Sequence, residues 1–218
     1  MNAILKPASG PQGIRIWDSH SEELECTMVL SDSADVKTFC FRTVQPAWFQ
    51  YAPGQFVTLE VDIDGEKHMR CYTLSSSPSR PVCLTITVKA EPTGKVSGWL
   101  HHNLKRGSRV RAHGPSGIFS VHHHPASKYI FLAGGVGITP LMSMTRWLFD
   151  QGRHTDVSFV QCARTPFRSS PYRASASSTR PRPEGTASAP PAGAACSAAA
   201  GRLSFGLLMK ESSGTARE

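Results

Sequence analysis

Met69-Arg70-Cys71-Tyr72-Thr73-Leu74-Ser75-Ser76-Ser77-Pro78 is the stretch around which the rest of this chain is organised. Tyr72 and Leu74 alternate with their neighbours and a Ser/Pro cluster follows, a pattern that predicts a β-strand ending in a turn. Arginine binds phosphate through a planar fork, a phenol ring packs on a flat heterocycle, and a hydroxyl bonds a ring nitrogen. The stretch therefore suits a ligand with a phosphate and an aromatic ring. The same residues also occur on ordinary exposed strands.

Composition narrows the class of partner. The net charge of +8 favours an anionic partner, but no Lys/Arg run is interleaved with aromatic residues. We therefore expect no nucleic-acid partner, since dinucleotide phosphates are a sufficient anion. Cysteines 26, 40, 71, 83, 162 and 196 show no short pair spacing, so neither a disulfide framework nor a metal or iron–sulfur ligand set is predicted. Neither a signal peptide nor a membrane-spanning apolar run is visible, and we expect a cytoplasmic protein without a membrane partner.

Residues 22–125 carry the pattern of a small antiparallel barrel, preceded by a loose lead-in over residues 1–21. Short alternating apolar stretches bounded by turn residues predict strands. The six predicted strands are Leu24–Leu30, Val36–Phe41, Phe56–Ile63, Arg70–Ser75, Val82–Lys89 and Arg109–His113, with one helix at Ser97–Leu104. Six strands at such short spacing indicate a barrel.

The pattern changes over residues 126–165. Lys128–Ala133 is almost continuously apolar, as in a strand that is buried on both faces of a parallel sheet. A glycine loop, a helix at Pro140–Asp150 and a second buried strand at Val157–Cys162 follow. This order predicts a βαβ unit, the beginning of a nucleotide-binding sheet.

Residues 166–218 have a different composition, because Ala, Ser, Pro and Gly supply 32 of the 53 residues. Such a segment cannot offset its ordering entropy by burial, and we expect it to be disordered. The abrupt change also suggests the hypothesis that the tail is a translated wrong reading frame. Resequencing around codon 165 would reject that hypothesis if no other frame continued the α/β pattern.

Two glycine-containing stretches precede predicted helices. Gly94-Lys95-Val96-Ser97 could present free N–H groups and the positive end of a helix dipole to a pyrophosphate. The simpler interpretation is a glycine turn with Ser97 as the N-cap. Gly134-Gly135-Val136-Gly137 lies between a strand and a helix, where α/β sheets bind phosphates, although it is not the G-x-G-x-x-G fingerprint.

Taken together and in this order, the motifs resemble the ferredoxin–NADP⁺ reductase superfamily, in which a flavin-binding barrel precedes a pyridine-nucleotide domain. Arg70-Cys71-Tyr72-Thr73 matches its flavin motif and Gly94-Lys95-Val96-Ser97 its flavin pyrophosphate loop. Gly114 to Phe119 matches the joining segment, and Gly134 to Pro140 the nicotinamide loop. The resemblance covers about residues 22–165. It implies a β plus α/β fold: a six-stranded antiparallel Greek-key flavin-binding barrel, then an incomplete α/β nucleotide-binding domain and the disordered tail.

The resemblance also implies a cofactor and roles for named residues. FAD would be bound, with Arg70 at its pyrophosphate, Tyr72 against the isoalloxazine, Thr73 near N5 as the catalytic residue, and Cys71 between them. Thr87, Val88 and Lys89 would follow the flavin edge, and Gly94, Lys95, Val96 and Ser97 would contact its phosphates. NADH or NADPH would be the substrate, bound at Gly134, Gly135, Gly137, Ile138, Thr139 and Pro140.

The sequences of the motifs are most similar to those of bacterial reductases that serve oxygenases, demethylases or hybrid-cluster proteins. We therefore expect an iron–sulfur protein or an oxygenase component as the electron acceptor. Such reductases carry a C-terminal plant-type [2Fe–2S] domain, but no C-x4-C-x2-C follows here, so no cluster is expected in this chain. The family's further strands and its late Cys-Gly-Pro-like motif are also missing after Arg164. The alternatives are a flavin-binding module without turnover, or a product that does not fold stably.

Some residues receive a simpler interpretation. His122, His123 and His124 are consecutive and cannot all reach one metal ion in regular structure, so we expect a solvated loop. His101 and His102 are assigned to the helix surface, whereas Trp99 and Trp147 are assigned to core packing.

Overall fold

A computed structural model of the chain describes residues 14–152, 155–163 and 197–203. In chain order the strands are β1 (Arg15–Trp17), β2 (Glu22–Ser31), β3 (Val36–Thr43), β4 (Ala47–Phe49), β5 (Phe56–Ile63), β6 (Glu66–Thr73), β7 (Leu84–Lys89), β8 (Arg109–Ser116), β9 (Lys128–Gly134), β10 (Asp156–Ala163) and β11 (Ser197–Leu203). The helices are α1 (Lys95–Asn103) and α2 (Thr139–Asp150), and a 3-10 turn (Gly135–Ile138) precedes α2.

The predicted six-stranded antiparallel barrel is confirmed. Its strands follow the order β6-β5-β8-β2-β3-β7, so strands distant in sequence become neighbours. Alternate residues of each strand point inward, and on β5 these are Val57, Leu59, Val61 and Ile63. Opposite them, Phe39, Phe41 and Ile86 have no exposed surface and fill the centre of the core.

The barrel closes at a single point. Leu74, directly after β6, forms an isolated bridge with Ile86 of β7, and the Ser75 N–H donates to the Thr85 carbonyl at 2.8 Å. Away from this bridge, β6 pairs only with β5 and β7 only with β3 in the described part of the chain. The two edge strands therefore leave an opening between the Arg70 side of β6 and the Lys89 end of β7.

Helix α1 covers one end of the barrel with Val96, Leu100 and the following Leu104. The prediction that His101 lies at the surface is wrong, because His101 is 9% exposed and its Nε2 lies 2.9 Å from the Val88 carbonyl. The Lys37 ammonium donates to the carbonyl of His101 at 2.8 Å. The imidazole thus ties α1 to β7 next to the opening, whereas His102 is exposed as predicted.

The N-terminal region is more ordered than the sequence predicts. The expected loose lead-in extends to residue 21, but Arg15–Trp17 form β1, parallel to β4. Trp17 is 2% exposed and its ring meets that of Phe49 edge-on, with ring centroids 5.2 Å apart. The large apolar area of one tryptophan is enough to hold so short a strand on the core.

The βαβ unit is also confirmed. Strands β9 and β10 are parallel, and α2 packs on one face of the pair through Leu141, Met144 and Leu148. Within the segment for which disorder is predicted, the structure describes residues 197–203 as β11, which pairs antiparallel with β10. An edge strand exposes unpaired N–H and C=O groups, and the backbone of β11 pairs with those of β10. The remainder of 166–218 lies outside the described residues. No helix of the described chain is long and apolar enough to cross a bilayer.

The two parts of the chain are packed against each other at Gly54, just before β5. A Cβ atom at this position would lie 2.2 Å from the Phe119 carbonyl oxygen and 2.5 Å from the Met144 Cε. The φ of Gly54 is +98°, so glycine meets both the steric and the backbone requirement. This contact brings α2 directly onto the barrel.

Candidate cofactor site

Arg70 and Tyr72 lie side by side on β6, because residues two positions apart in a strand share a face. Their partners across the ladder are Leu59 and Val57, whose side chains face the barrel interior. The two side chains therefore point to the inner face at the place where the barrel is open. Arg70 is exposed and its Nη1 donates to the Met69 carbonyl at 2.8 Å. The rest of the guanidinium fork faces solvent at the opening.

Tyr72 offers a ring rather than an ion. It is half-buried and packs against the barrel core. Burial raises the pKa of Tyr72 to about 12, and the nearby Arg70 charge only partly opposes this. The phenol is therefore neutral near pH 7, and its face is available to a flat aromatic ligand.

Cys71 and Thr73 point to the opposite face of β6. The Cys71 thiol is exposed and lies 3.4 Å from the Thr58 Oγ1, so its side chain is not beside Arg70 and Tyr72. Thr73 ends the strand, and its hydroxyl makes no hydrogen bond within the described residues. The structure therefore places Arg70 and Tyr72 together on one face of β6 and Thr73 on the other.

The other edge of the opening is β7. The Val88 side chain is 2% exposed and lies in the core, so only its backbone can contact a ligand. The Lys89 ammonium is exposed, 3.9 Å from the Asp35 carboxylate. The Thr87 hydroxyl lies 2.8 Å from that of Thr38, which in turn donates to the buried carboxylate of Asp32 at 2.6 Å. Because the proton of Thr38 is committed to Asp32, Thr87 must donate to Thr38.

The first turn of α1 forms the third side of the site. Gly94 is the N-cap, and no side chain caps the helix, so the simpler interpretation with Ser97 as N-cap is wrong. The first N–H groups of a helix have no intrahelical partners and, with the helix dipole, attract anions. A Cβ on Gly94 would lie 2.4 Å from the Ser97 Oγ, so this turn is built for a residue without a side chain.

The remaining residues of this turn hold it in place. The Ser97 hydroxyl donates to the Gly94 carbonyl at 3.3 Å and accepts from the Glu91 N–H at 3.2 Å. The Lys95 ammonium bonds the Glu66 carboxylate of β6 at 3.4 Å. Val96 is buried in the core, so its contribution to a ligand site is its backbone alone. The Lys95–Glu66 pair joins the first turn of α1 to the strand that carries Arg70.

The second glycine motif is a 3-10 turn rather than an open loop. A Cβ atom placed on Gly134, Gly135 or Gly137 would meet no other atom within 4 Å, which leaves room for a ligand. Thr139 begins α2 and donates its hydroxyl to the Val136 carbonyl at 3.2 Å, and Pro140 occupies the first turn as predicted. The Cα atoms of the 3-10 turn come within 8 Å of those of β7. The predicted nucleotide loop therefore lies beside the predicted flavin edge.

A separate groove of about 320 Å³ contains none of the predicted site residues. Its charged groups are largely paired with one another, as in Lys67–Glu60 at 2.9 Å and Arg109–Glu23 at 3.6 Å. No group of three or more His, Cys, Asp or Glu side chains able to hold a metal occurs in the described chain.

Comparison with known proteins identifies the barrel. Residues 24–121 match the family model of the oxidoreductase FAD-binding domain. The barrel is therefore similar to an oxidoreductase FAD-binding domain. FAD contains a pyrophosphate and a flat ring system. The Arg70 fork and the first turn of α1 suit the pyrophosphate, and the Tyr72 ring suits the ring system.

Two of the curated proteins to which the chain is similar are reductase subunits. The chain is 53% identical over 156 residues to the glycine betaine monooxygenase reductase subunit of Chromohalobacter salexigens, which covers 72% of this chain and 42% of that protein. It is 50% identical over 153 residues to a stachydrine N-demethylase reductase subunit of Rhizobium meliloti, covering 70% and 43%. The chain thus spans less than half the length of these relatives.

A solved structure confirms the fold of the FAD-binding domain and the strands after it. Phthalate dioxygenase reductase superposes with a TM-score of 0.61 at 24% identity, over 69% of this chain and 46% of that chain. Both the six-stranded barrel and the short α/β region are therefore features of this architecture.

Sequence reasoning missed residues that hold the site together. His101 anchors α1, and Ser75 and Arg146 join the barrel to α2, where the Arg146 guanidinium donates to the Ser75 carbonyl. A Ser/Pro cluster after the flavin strand is visible in the sequence, but its partners on a distant helix are not.

Proposed function

We propose that this chain is the flavin-binding part of a reductase that accepts a hydride from NADH or NADPH and delivers single electrons to an iron–sulfur acceptor. One observation carries the proposal. The Cα atoms of the glycine turn before α2 come within 8 Å of those of β7, the strand that borders the barrel opening, and α1 likewise approaches β6, the strand on its other side. This proximity is what hydride transfer between two bound cofactors requires.

FAD supplies the chemistry when bound, since flavins accept a hydride and release single electrons. The chain's own residues bind FAD and the nicotinamide nucleotide and orient them. Arg70 holds a pyrophosphate together with the Gly94–Ser97 turn, and Tyr72 packs against the ring system. Thr73 provides a hydroxyl at the ring edge without acting as an acid or a base. Gly134, Gly135, Gly137, Ile138, Thr139 and Pro140 accept the nicotinamide nucleotide.

An oxygenase or demethylase component is the partner that the relatives support. Of the two similar reductase subunits, one serves a monooxygenase and the other a demethylase. Phthalate dioxygenase reductase is a modular protein for electron transfer from pyridine nucleotides to [2Fe–2S]. We propose the same direction of electron flow here, in the cytoplasm, where the free cysteines of the described chain would stay reduced.

A second candidate is a flavin-binding module without turnover. It is favoured by the small size of the α/β sheet, which has β9 and β10 in parallel and β11 antiparallel at the edge of β10 among the described residues. A nucleotide held by the glycine turn alone has fewer contacts than one held by a full doubly wound sheet.

An anaerobic visible spectrum of the purified chain, before and after NADH or NADPH, decides between the candidates. A flavin spectrum that bleaches on adding either nucleotide supports the reductase. A flavin spectrum that persists supports the binding module. A protein that retains no added FAD contradicts both.

A further inference from the structure

Ser75 is the junction between the flavin strand and its neighbours. It is 1% exposed and follows Thr73 by two residues. Its N–H donates to the Thr85 carbonyl at 2.8 Å, and its hydroxyl lies 2.8 Å from the Thr85 Oγ1 and 3.3 Å from the Thr87 Oγ1. The carbonyl of Ser75 accepts a hydrogen bond from a different part of the chain.

That bond comes from α2. The Arg146 guanidinium donates to the Ser75 carbonyl, and the Ser143 hydroxyl donates to the Ser76 carbonyl at 2.6 Å. Residues three apart on a helix share a face, so one side of α2 is committed to this segment. Farther along, the Gln151 amide donates to the Ser79 hydroxyl at 3.2 Å, and Arg80 pairs with Asp150 at 3.4 Å.

We propose that Arg146 and Ser143 are positioning residues for hydride transfer, because they fix the nucleotide helix to the two residues that continue the flavin strand. The inference rests on the proposed reductase function. On the barrel side, Ser75 and Ser76 follow Thr73 by two and three residues. On the helix side, Ser143 lies about one turn and Arg146 about two turns after Thr139 and the glycine turn. Because so few residues separate these hydrogen bonds from the two motifs, a shift of α2 would move the nucleotide loop relative to β6.

The polar bonds are needed because the apolar face of α2 is already used. Leu141, Met144 and Leu148 pack on the β9–β10 sheet, and Met144 alone of these also approaches Gly54. Without Arg146 the buried Ser75 carbonyl would lose a charged donor, and leaving such a group unsatisfied is costly. Apolar packing can slide by small distances, whereas directed hydrogen bonds select one register.

The test compares Arg146→Met, Arg146→Lys and Ser143→Ala in the full chain loaded with FAD. Thr145→Val is the matched control, since the Thr145 hydroxyl donates to the Leu141 carbonyl within α2 and not to the barrel. Three readouts are used: FAD bound per chain, the anaerobic rate of flavin bleaching by NADH or NADPH, and hydrogen–deuterium exchange of residues 74–77 and α2 without FAD.

We expect Arg146→Met to retain FAD, to exchange faster in residues 74–77 and α2, and to be reduced at least roughly tenfold more slowly, as a small misplacement of reactants predicts. Arg146→Lys should recover part of the rate, because its ammonium can still donate one bond. Ser143→Ala should also slow flavin reduction and speed exchange, but to a smaller extent. If Arg146→Met does not fold, Ser143→Ala serves as the test variant. Thr145→Val should match the unmodified chain.

An unmodified reduction rate in both Arg146→Met and Ser143→Ala would overturn the inference while leaving the reductase function intact. The inference would equally fail if the two variants lost FAD, since the residues would then support flavin binding. If the unmodified chain binds FAD but no nucleotide reduces it, the proposed function itself fails, and the inference fails with it.

Discussion

Arg70 places a positive charge at the barrel opening, on the inner face of β6. Arg70→Ala should weaken FAD retention, because hydrogen bonds to charged groups contribute about 1.5–3 kcal/mol each. The ratio of FAD to protein after gel filtration measures this. Arg111→Ala is the matched control, an exposed arginine on β8. Equal FAD content in the two variants would remove Arg70 from the site.

Thr73 tests orientation rather than affinity. Its hydroxyl has no hydrogen-bond partner in the described structure, so replacing it removes no internal hydrogen bond, and valine keeps the branched shape that strands favour. Thr73→Val should bind FAD normally but change the anaerobic reduction rate, which stopped-flow absorbance measures. Thr58→Val, on the neighbouring strand, is the control. An unchanged rate would show that Thr73 has no part in the reaction.

Cys83 and Cys40 form a thiol pair with opposite titration behaviour. A hydrogen bond from Cys40 lowers the pKa of Cys83 to about 7, against the opposing effect of burial. The same bond, together with burial, raises the pKa of Cys40. The Cys83 thiolate fraction therefore grows as pH rises through its pKa, while Cys40 stays protonated.

Iodoacetamide labelling followed by peptide mass spectrometry should show Cys83 modification increasing between about pH 6 and about pH 8, since the thiolate is the nucleophile. Cys40 should remain unlabelled over the same range. Cys40→Ala removes the donor and should lower labelling of Cys83 near neutral pH. Labelling that does not depend on Cys40 would contradict the hydrogen-bond explanation.

At the scale of elements, α1 offers two glycines with opposite requirements. At Gly94 a Cβ would lie 2.4 Å from the Ser97 Oγ, whereas at Gly98 nothing lies within 4 Å. Gly94→Ala should distort the first turn and reduce both FAD retention and stability. Gly98→Ala should be neutral or stabilise by up to about 1 kcal/mol, since alanine loses less backbone entropy in a helix.

Thermal unfolding with and without FAD separates these effects. The melting temperature of Gly98→Ala should equal or exceed that of the unmodified chain, and FAD should raise both to the same extent. FAD should raise the melting temperature of Gly94→Ala less. A full FAD-dependent increase in Gly94→Ala would show that the first turn of α1 does not hold the cofactor.

The local sequence pattern predicts some of the strands and misses others. Alternation predicts β2, β3, β5 and β7 well, because one face of each is buried and the period of two is directly readable. The start of β6 escapes this prediction since Glu66 and Lys67 are charged and exposed, and only pairing with β5 extends the strand to them. Strands β1 and β4 have three residues each, too few for a pattern to be recognised.

At the scale of the whole molecule, no element of the described chain covers one face of the α/β sheet. Ile130 and Leu132 on β9 are 74% and 71% exposed, on the face opposite to α2. Strands of parallel sheets are usually covered on both faces, and exposed apolar patches promote association. The composition of β9, almost wholly apolar, agrees with two buried faces, but only one is covered in the described chain.

The double variant Ile130→Thr and Leu132→Thr should therefore bind less of the hydrophobic dye ANS and aggregate less, with FAD retention unchanged. Threonine keeps the strand propensity while removing apolar surface. Lys128→Thr, at the exposed start of the same strand, is the control. Dye binding and light scattering are the measurements, and loss of folding in the double variant would show that this face is packed in solution.

The sequence by itself determined the barrel, the βαβ unit and the order of the cofactor motifs, because burial periodicity and glycine placement are local properties of the chain. Only the tertiary structure decided which groups meet. Strands β6 and β7 are consecutive in sequence but lie at opposite ends of the sheet order, and their single bridge at Leu74–Ile86 leaves an opening beside Arg70 and Tyr72. Likewise, nothing in the local pattern links Ser75 to Arg146, 71 residues away. Such contacts depend on which edges the closed sheet leaves free, and that is a property of the whole fold.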